Sequence, residues 1–387
     1  MIYADYAATH PLRAVAREAM TASLDLWGNP SSLHAAGRNA REALESARTT
    51  VARLIGASPS EIVFTSGGSE SNTAAIRSAA LHGAREGKRH ILSTVIEHPS
   101  VLNTLQALSV EGFEVELLPV TSDGYINTPQ VAAAIRPDTA LVTVMHANNE
   151  IGTVQPIREI AAVCRERGVP FHTDAVQTVG HISVNATELG VDTLSFSGHK
   201  FGGPHGIGVL YVRKGAPFTP LIPGGHQEAG RRAGTENLLC AVGLAAALEE
   251  AVNTMDGTGV LLRSLSNTLA GNLLNAIPSI RLNGCPRCMS PYCDSPCSLP
   301  HIVSLTFDGI DGEALVYRLD TEGIAISAGS ACTAGSPDPS HVITALGLDP
   351  ETALGTIRIS LGEDNTDEDI ARMTEAIVRL VTDLRAF

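Results

Sequence analysis

Short apolar runs alternate with helix-like spacing of apolar positions over the first half of the chain. Runs of this kind, too short for helices and followed by glycine or polar residues, predict buried strands. Seven of them are found, at 62–65, 90–95, 115–119, 140–145, 170–173, 193–197 and 208–212. Helical patterns separate most of these runs, and this alternation predicts the α/β class with a mainly parallel, seven-stranded sheet.

The rest of the chain has a mixed pattern. Predicted helices cover 34–54, 235–252 and 260–276, and predicted strands lie near 280–283, 301–307, 324–327 and 356–361. Thr366 is a good N-cap for a last helix, since three acidic residues in its first turn favour the helix dipole. The polar, glycine-containing stretch 253–259 predicts a break. We therefore expect a large domain at 13–255 and a smaller α+β domain formed by 1–12 and 256–387.

Composition narrows the class of protein. The chain is 387 residues long and 44% hydrophobic, so it has room for two domains and a large core. Its net charge of −14 argues against binding nucleic acid through the phosphates. No apolar run reaches the ~18 residues of a membrane helix, and the first residues lack the pattern of a signal peptide. Seven cysteines, an odd number, are typical of a reducing compartment. A cytoplasmic protein without membrane or direct nucleic-acid contact is expected.

The most informative segment is 195–200, Ser-Phe-Ser-Gly-His-Lys, which follows a predicted buried strand. Lysine is rarely buried without a partner, and a desolvated lysine loses its proton and becomes a nucleophile towards aldehydes. Lys200 is therefore a candidate for a Schiff base with pyridoxal 5′-phosphate (PLP). The alternative is a lysine whose stem covers apolar surface while its amine reaches water.

Other predicted strands end in side chains that suit the ring of PLP. Asp174 ends a strand 26 residues before Lys200, and a carboxylate beside the pyridine nitrogen keeps that nitrogen protonated, so that the ring accepts electrons. Gln177 is placed to donate to the phenolic oxygen. His98 follows another strand and opens a helix, where its ring can stack on the pyridine face.

A phosphate site is predicted at the strand–glycine–helix sequence 61–72. Backbone N–H groups at Gly68 and Ser69 would begin a helix and attract an anion, with Ser197 and His199 completing the site. Each of these features alone is common, because residues after strands also cap helices. Together, in order and each at a strand's carboxyl end, they indicate a ligand site at that edge of the sheet.

Longer motifs extend from Tyr3 to the last helix, at 28–34, 61–70, 145–155, 195–200, 232–237, 327–333 and 357–362. In these the chain resembles the NifS/IscS-type cysteine desulfurases, which belong to the class V aminotransferases and to the fold-type I PLP-dependent transferases. The resemblance implies that fold for effectively the whole chain. Ser69 stands where the family usually has threonine, and it keeps the hydroxyl group.

The resemblance also implies roles for single residues. Lys200 would bind PLP covalently, Asp174 would pair with the pyridine nitrogen, and His98 would stack on the ring and pass protons. Arg358 would bind the carboxylate of the substrate L-cysteine. Thr235 would reach the phosphate in the neighbouring subunit, which implies a homodimer. The remaining implied contacts are Gly68, Ser69, Ser197 and His199 with the phosphate, and Gln177 and Asn149 near the phenolic oxygen and the substrate carboxylate.

Cys332 lies in a run of small residues, Ala-Gly-Ser-Ala-Cys-Thr-Ala-Gly-Ser-Pro. A lone cysteine in a loop is ordinarily a structural residue. In this motif the resemblance implies that its thiolate attacks the sulfur of bound L-cysteine, so that alanine is released and Cys332 carries a persulfide. The sulfur would then pass to an acceptor protein for iron–sulfur cluster assembly, tRNA thiolation or DNA phosphorothioation.

A cysteine-rich insert departs from the family pattern. Cys285, Cys288, Cys293 and Cys297 have the spacing C-x2-C-x4-C-x3-C, with prolines between them, where other members have a short loop. Four thiolates suit zinc or an iron–sulfur cluster. The spacing matches no motif of known ligand, so a sulfur relay, a redox disulfide or thiols without a function stay open.

Two other functions remain possible at this point. One is a selenocysteine lyase or β-lyase of the same fold, which would not need Cys332. The other is an iron–sulfur scaffold or sensor that uses the insert at 285–297, with PLP chemistry secondary.

Overall fold

A computed structural model describes residues 1–285, 297–329 and 338–386. Its helices and strands are numbered in chain order. The strands are β1 Ile2–Tyr3, β2 Ile62–Thr65, β3 His90–Thr94, β4 Glu114–Leu118, β5 Thr139–Thr143, β6 Phe171–Asp174, β7 Thr193–Ser197, β8 Gly208–Val212, β9 Ile280–Leu282, β10 Ile302–Phe307, β11 Ile324–Ala325, β12 Ser327–Ala328 and β13 Thr356–Ser360. The helices are α1 Ala14–Ala22, α2 Ala35–Leu54, α3 Gly68–Arg85, α4 Pro99–Val110, α5 Thr128–Ala134, α6 Ile157–Glu166, α7 Ala186–Leu189, α8 Leu238–Ala276, α9 Gly312–Thr321, α10 His341–Ala345, α11 Pro350–Leu354 and α12 Asp367–Arg385.

The central sheet has seven strands in the order β2-β8-β7-β6-β5-β3-β4. Pairing is parallel from β7 to β4, whereas β8 runs antiparallel to both of its neighbours. The predicted mainly parallel sheet is therefore confirmed, and the strands lie close to the predicted positions. Residues of β3, β5, β6 and β8 are buried throughout, and in β8 this burial appears in the sequence as a continuous apolar run over 209–212.

One long helix connects the two halves of the molecule. The predicted break at 253–259 is wrong, because α8 continues without interruption from Leu238 to Ala276. Gly257 and Gly259 have open space around them, so they cost the helix little more than their low propensity. Packing outweighs that cost, since α8 contacts α1 and α2 at one end and α12 at the other. By length and composition α8 also resembles a membrane span, but here it is a core helix with apolar residues in both core clusters.

The smaller half is built on the antiparallel sheet β12-β13-β10-β9 and the parallel pair β1 and β11. Its core cluster includes Leu265 and Leu269 of α8, and the cluster beneath the central sheet includes Leu244 and Leu248 of the same helix. The two clusters meet along α8, and the division of the chain at residue 255 stays a prediction.

A buried ion pair holds the segment after β8 against β2. Both terminal nitrogens of Arg48 donate to the Glu228 carboxylate, at 2.7 and 2.8 Å, and the Phe64 N–H donates to the same carboxylate at 2.9 Å. Glu228 has a left-handed backbone conformation with a φ of 49°, which is costly for a residue with a side chain. These contacts fix β2, and β2 leads directly into the turn that precedes α3.

We expect Glu228→Ala to lower the free energy of unfolding by about 3–5 kcal/mol, because Arg48 would remain buried without its partner. Chemical denaturation measures this. Glu249→Ala, which removes an exposed ion pair with Arg53, is the matched control and should change stability little. Equal effects of the two substitutions would contradict the role assigned to Glu228.

Candidate active site

A cavity of about 410 Å³ opens at the carboxyl ends of β6 and β7. It lies where the central sheet meets β13 of the smaller half. Most of the predicted site residues line it together: Gly68, Ser69, His98, Asn149, Asp174, Gln177, Ser197, His199, Lys200 and Arg358. The volume is in the range that binds small organic molecules and cofactors.

Lys200 follows β7 in a short 3₁₀ turn and reaches into this cavity. Its Nζ donates to the carbonyls of Ala7 and Ala8, at 2.8 and 2.9 Å. Neither partner is a carboxylate, so no negative side chain neutralises the amine through these contacts. Hydrogen bonds to these two backbone carbonyls hold the amine in place.

Asp174 at the end of β6 is 5% exposed and is held from two sides. Its Oδ1 accepts the Val176 N–H at 2.9 Å, and its Oδ2 accepts Nδ2 of Asn72 at 2.6 Å. Asn72 is oriented in turn by His172, whose Nε2 lies 3.1 Å from the Asn72 Oδ1. Burial lowers the pKa of His172 to about 3, so the imidazole is neutral and this chain of contacts carries one negative charge, on Asp174.

His98 is the N-cap of α4, and its ring is oriented by Ser100. The Ser100 N–H donates to Nδ1 of His98 at 3.1 Å, so the proton of the neutral ring is on Nε2. The Ser100 hydroxyl contacts the same Nδ1 at 2.8 Å and accepts from Asn72 at 2.9 Å. Burial lowers the pKa of His98, although the Asp174 carboxylate opposes the shift.

The opposite end of the cavity has the features of an anion site. Gly68 begins α3, which is 18 residues long, and Ser197 and His199 face this helix start across the cavity. A Cβ on Gly68 would come within 2.7 Å of the Val176 side chain, and one on Gly208 would meet the Gly67 carbonyl carbon at 2.5 Å. Glycine is therefore required here by close approach of the two segments.

Arg358 on β13 closes the cavity from the smaller half. It is 1% exposed and donates to the Asn149 carbonyl at 2.9 Å and to Asp5 at 2.8 Å. Its Nε has no protein partner among the described residues. A fixed guanidinium with an unsatisfied donor is suited to receive a carboxylate.

Two buried glutamic acids lie directly behind the site. Burial raises the pKa of Glu97, the neighbour of His98, to about 8. Burial also raises the pKa of Glu150, the neighbour of Asn149, to about 7, although Ser340 and Arg358 stabilise its charged form. Both acids are thus partly or largely protonated at neutral pH, which limits the negative charge around Asp174.

The residues present fit PLP. The cavity combines a lysine amine, a buried carboxylate and a helix N-terminus with hydroxyl and imidazole groups at the far end. In addition, the Gln177 Nε2 donates only one of its two N–H groups to a carbonyl, that of Ala7 at 2.9 Å, and its Oε1 has no partner among the described residues, so the amide has unused hydrogen-bonding capacity. A phosphorylated pyridine aldehyde matches each of these groups with one of its own.

Not all predicted site residues are in the cavity. Thr235 is exposed on the surface of the chain. Cys332, the predicted nucleophile, lies outside the described residues, as do Cys288 and Cys293 of the insert.

The ends of the cysteine-rich insert come together. The Cys285 N–H donates to the Thr153 hydroxyl at 2.9 Å, and the Cys297 carbonyl accepts from Val154 at 3.1 Å. The two thiols are in hydrogen-bonding contact; burial, together with that contact, raises the pKa of Cys285 to about 12. Over residues 1–285, 297–329 and 338–386, no three potential metal ligands cluster, and no disulfide joins this pair.

Several residues of the site were not predicted from the sequence. They are Asn72, Ser100 and His172, which orient Asp174 and His98, and Ala7 and Ala8, whose carbonyls bind Lys200. The alternation of buried and exposed positions in α3 hinted at Asn72, since a fully buried asparagine needs partners. Nothing in the local sequence marks the alanine carbonyls.

Comparisons with known proteins agree with this geometry. Residues 2–373 match the model of the family described as "Aminotransferase class-V". A cysteine desulfurase IscS from Dictyoglomus turgidum is 44% identical over 99% of this chain and 95% of its own length. A solved NifS-like protein superposes with a TM-score of 0.90 at 36% identity, covering 99% of this chain and 100% of that one. A structure described as SspA in complex with cysteine gives a TM-score of 0.80 at 39% identity, covering 95% and 100%.

The buried histidines predict how stability depends on pH. Burial lowers the pKa of His172 to about 3 and those of His146 and His181 to about 4, whereas an unfolded chain titrates near pH 6.5. The unfolded state therefore binds more protons below pH 6.5, and these histidines destabilise the fold as pH falls from about 6.5 to about 4.

Glu97 and Glu150 act in the opposite direction, so the test is a difference between variant and wild type. We expect His172→Gln to make the fall in unfolding free energy between pH 6.5 and 4 shallower by about 1.4 kcal/mol per pH unit, the value for one proton. Denaturant titrations across this pH range measure it. Parallel curves for the two proteins would show that His172 is not buried as a neutral ring.

Proposed function

The chain belongs to the aminotransferase class-V family and is a cysteine desulfurase, and we propose that Lys200 and Cys332 perform its chemistry. The cavity that brings Lys200, Asp174 and Arg358 together carries this proposal, because it places an amine, an acid and a carboxylate-binding group around one ligand-sized space. The reaction converts L-cysteine to L-alanine and transfers the sulfur as a persulfide.

PLP is the cofactor implied by the family, and when bound it supplies an electrophilic aldehyde and an electron-accepting ring. Lys200 would hold it through the amine and Asp174 through the ring nitrogen. Ser69, Ser197 and the N–H groups at the start of α3 would hold the phosphate. The Gln177 Nε2 donates one N–H to the Ala7 carbonyl at 2.9 Å and would donate its second N–H to the phenolic oxygen. His98 would lie against the ring and hold a proton on Nε2 at neutral pH.

The substrate would be oriented from the smaller half of the molecule. Arg358 lines the cavity, and its two terminal nitrogens donate to the Asn149 carbonyl and to Asp5. A planar guanidinium held in this way binds the carboxylate of an amino acid and directs the side chain away from it. Asn149 lines the same side and contributes a side-chain amide.

Sulfur transfer itself requires a second thiol. The Cys332 thiolate would attack the sulfur of bound L-cysteine, forming an S–S bond while the C–S bond breaks and the carbon part leaves as alanine. The product on the enzyme is a persulfide. An acceptor protein that removes its outer sulfur would regenerate the thiol, and iron–sulfur cluster assembly is the destination that fits the IscS relatives.

The variants Cys332→Ala and Lys200→Ala test these roles. We expect Lys200→Ala to lose the covalent PLP adduct that borohydride reduction traps, and alanine formation to fall by several orders of magnitude. Cys332→Ala should keep the adduct, yet form neither persulfide nor alanine from L-cysteine. Alanine assays, peptide mass spectrometry and PLP absorbance measure these outcomes.

The Cys332 variant also distinguishes the lyase alternative. A selenocysteine lyase or β-lyase would retain its activity without this thiol. That function would be favoured if Cys332→Ala stayed active towards selenocysteine and the wild-type enzyme had little activity towards L-cysteine. Retained desulfuration by Cys332→Ala would contradict the proposed nucleophile.

A homodimer in the cytoplasm is the proposed form of the enzyme. Thr235 supports the dimer, since this exposed hydroxyl lies in a segment anchored beside the phosphate end of the cavity by the Arg232–Glu70 ion pair, at 2.9 Å. The position of Thr235 next to this ion pair therefore suits a role in the active site of a second subunit.

The insert is proposed to bind a thiophilic metal through Cys285, Cys288, Cys293 and Cys297. The contact between the Cys285 and Cys297 thiols supports this, because two ligands of one ion must lie side by side. Zinc would stabilise the fold, and an iron–sulfur cluster would add a regulatory or scaffold function.

Metal analysis of protein purified without oxygen tests the insert. We expect zinc or iron in stoichiometric amount, and its loss in Cys285→Ser/Cys297→Ser, while Cys240→Ser retains it. Full desulfuration by the double variant would make the metal structural and exclude a scaffold as the main function. Wild-type protein without metal, and without absorbance beyond that of PLP, would remove the proposal.

A further inference from the structure

The chain leaves β12 at Gly329 and returns at Ser340, and these two residues lie side by side. A Cβ atom on Gly329 would be 3.7 Å from the Cβ of Ser340, and the Gly329 N–H is fixed by the Thr356 carbonyl at 3.1 Å. Cys332 is three residues beyond Gly329 in the sequence, so Gly329 and Ser340 form the base of the segment that carries it.

Ser340 connects the base to the active site through one strong hydrogen bond. Its hydroxyl lies 2.5 Å from the Glu150 Oε2 and also accepts the N–H groups of Val342 and Ile343, at 3.1 and 3.5 Å, as the N-cap of α10. Since those two contacts use the oxygen as acceptor, its proton is directed to Glu150. Glu150 is 2% exposed, so no water competes for this contact.

Glu150 follows Asn149, and the Asn149 carbonyl accepts from Arg358. Glu150, whose carboxyl group accepts the Ser340 hydroxyl, is thus next in sequence to Asn149. The Asn149 side chain lines the cavity, and the Asn149 backbone carbonyl accepts from the Arg358 guanidinium. The Ser340–Glu150 contact therefore joins the returning chain to the segment that carries Asn149.

His341 provides a second connection of the same kind. Its Nε2 lies 3.0 Å from the carbonyl of Glu97, the residue before His98. Behind both contacts, Val342 and Ile343 pack in a buried cluster with Ile96 and Met145. The chain that returns from Cys332 is therefore fastened to the two segments that carry His98 and Asn149.

We propose that Glu150 is a positioning residue for the desulfurase reaction: by accepting the Ser340 hydroxyl, it fixes the base of the segment that carries Cys332 relative to Asn149 and Arg358. It touches neither substrate nor cofactor and acts through Ser340. This inference rests on the proposed function, because it presupposes that Cys332 is the nucleophile. Placement of reacting groups is demanding, and an error of about 1 Å can cost about a hundredfold in rate.

The test compares Ser340→Ala, Glu150→Leu, which removes the acceptor oxygens, and the double variant as PLP-loaded enzymes. We expect each single substitution to lower kcat for alanine formation about ten- to a hundredfold, with KM for L-cysteine within about twofold, because Arg358 and Asn149 are unchanged. The double variant should be no slower than the slower single variant, since both substitutions break the same contact. Ser340→Thr, which keeps the hydroxyl, should recover most of the rate.

A second measurement separates positioning from a general loss of stability. Alkylation of Cys332 by iodoacetamide, followed by peptide mass spectrometry, should be several times faster in Ser340→Ala than in wild type, because the base of its segment is released. Asp349→Ala removes the N-cap of the next helix, α11, and is the matched control. It should leave kcat and alkylation unchanged.

The outcomes that would overturn the inference are specific. The inference is wrong if kcat is unchanged in both single variants, or if the effects of the two substitutions multiply in the double variant. It is also wrong if kcat is reduced while the alkylation rate of Cys332 is unchanged. Should Ser340→Ala fail to fold, Glu150→Leu decides through the same comparison of kcat, KM and alkylation rate. Failure of the proposed function is a separate result, since it would appear as desulfuration by Cys332→Ala whatever the Ser340 variants show.

Discussion

The buried carboxylate of Asp174 is the constraint on which the rest of the active site depends. A negative charge removed from water is stable only with hydrogen-bond donors or a positive partner around it. Asn72 and the Val176 N–H supply two donors, and neutral His172 holds Asn72 in the required orientation. The protonated ring nitrogen of PLP would supply the missing charge. The charge of Asp174 therefore links cofactor binding to the arrangement of β6 and α3, because all of them contribute to stabilising the same carboxylate.

The second requirement is that two separate cores meet at the cavity. The central sheet supplies the groups suited to the cofactor, and β13 supplies Arg358, which reaches across to Asn149 and to Asp5 next to β1. Because α8 contributes apolar side chains to both cores, the two halves are held in a fixed relation. A substrate carboxylate on Arg358 is therefore placed reproducibly relative to Lys200, and Glu150 extends the same network to the chain that returns from Cys332.

Particular elements show why some features were predictable and others were not. The buried strands were recognisable because burial on both faces leaves continuous apolar runs, and residues at their carboxyl ends had to converge. The predicted break in α8 was wrong because glycine propensity is a weak local signal and packing at both ends of the helix outweighs it. Asn72 was missed because its partners are distant in sequence, with Asp174 and His172 about a hundred residues away.

The sequence by itself determined the order of strands and helices, the chemical identity of the residues around Lys200 and the family to which they point, since these follow from local patterns and motif spacing. Only the tertiary structure decided which carbonyls receive the lysine amine, that Asn72 meets Asp174 and that Glu150 meets Ser340. Those contacts join residues far apart along the chain, such as Lys200 with Ala7 and Ala8, and Ser340 with Glu150. They arise from packing two cores together, and no local pattern of polar and apolar positions records that packing.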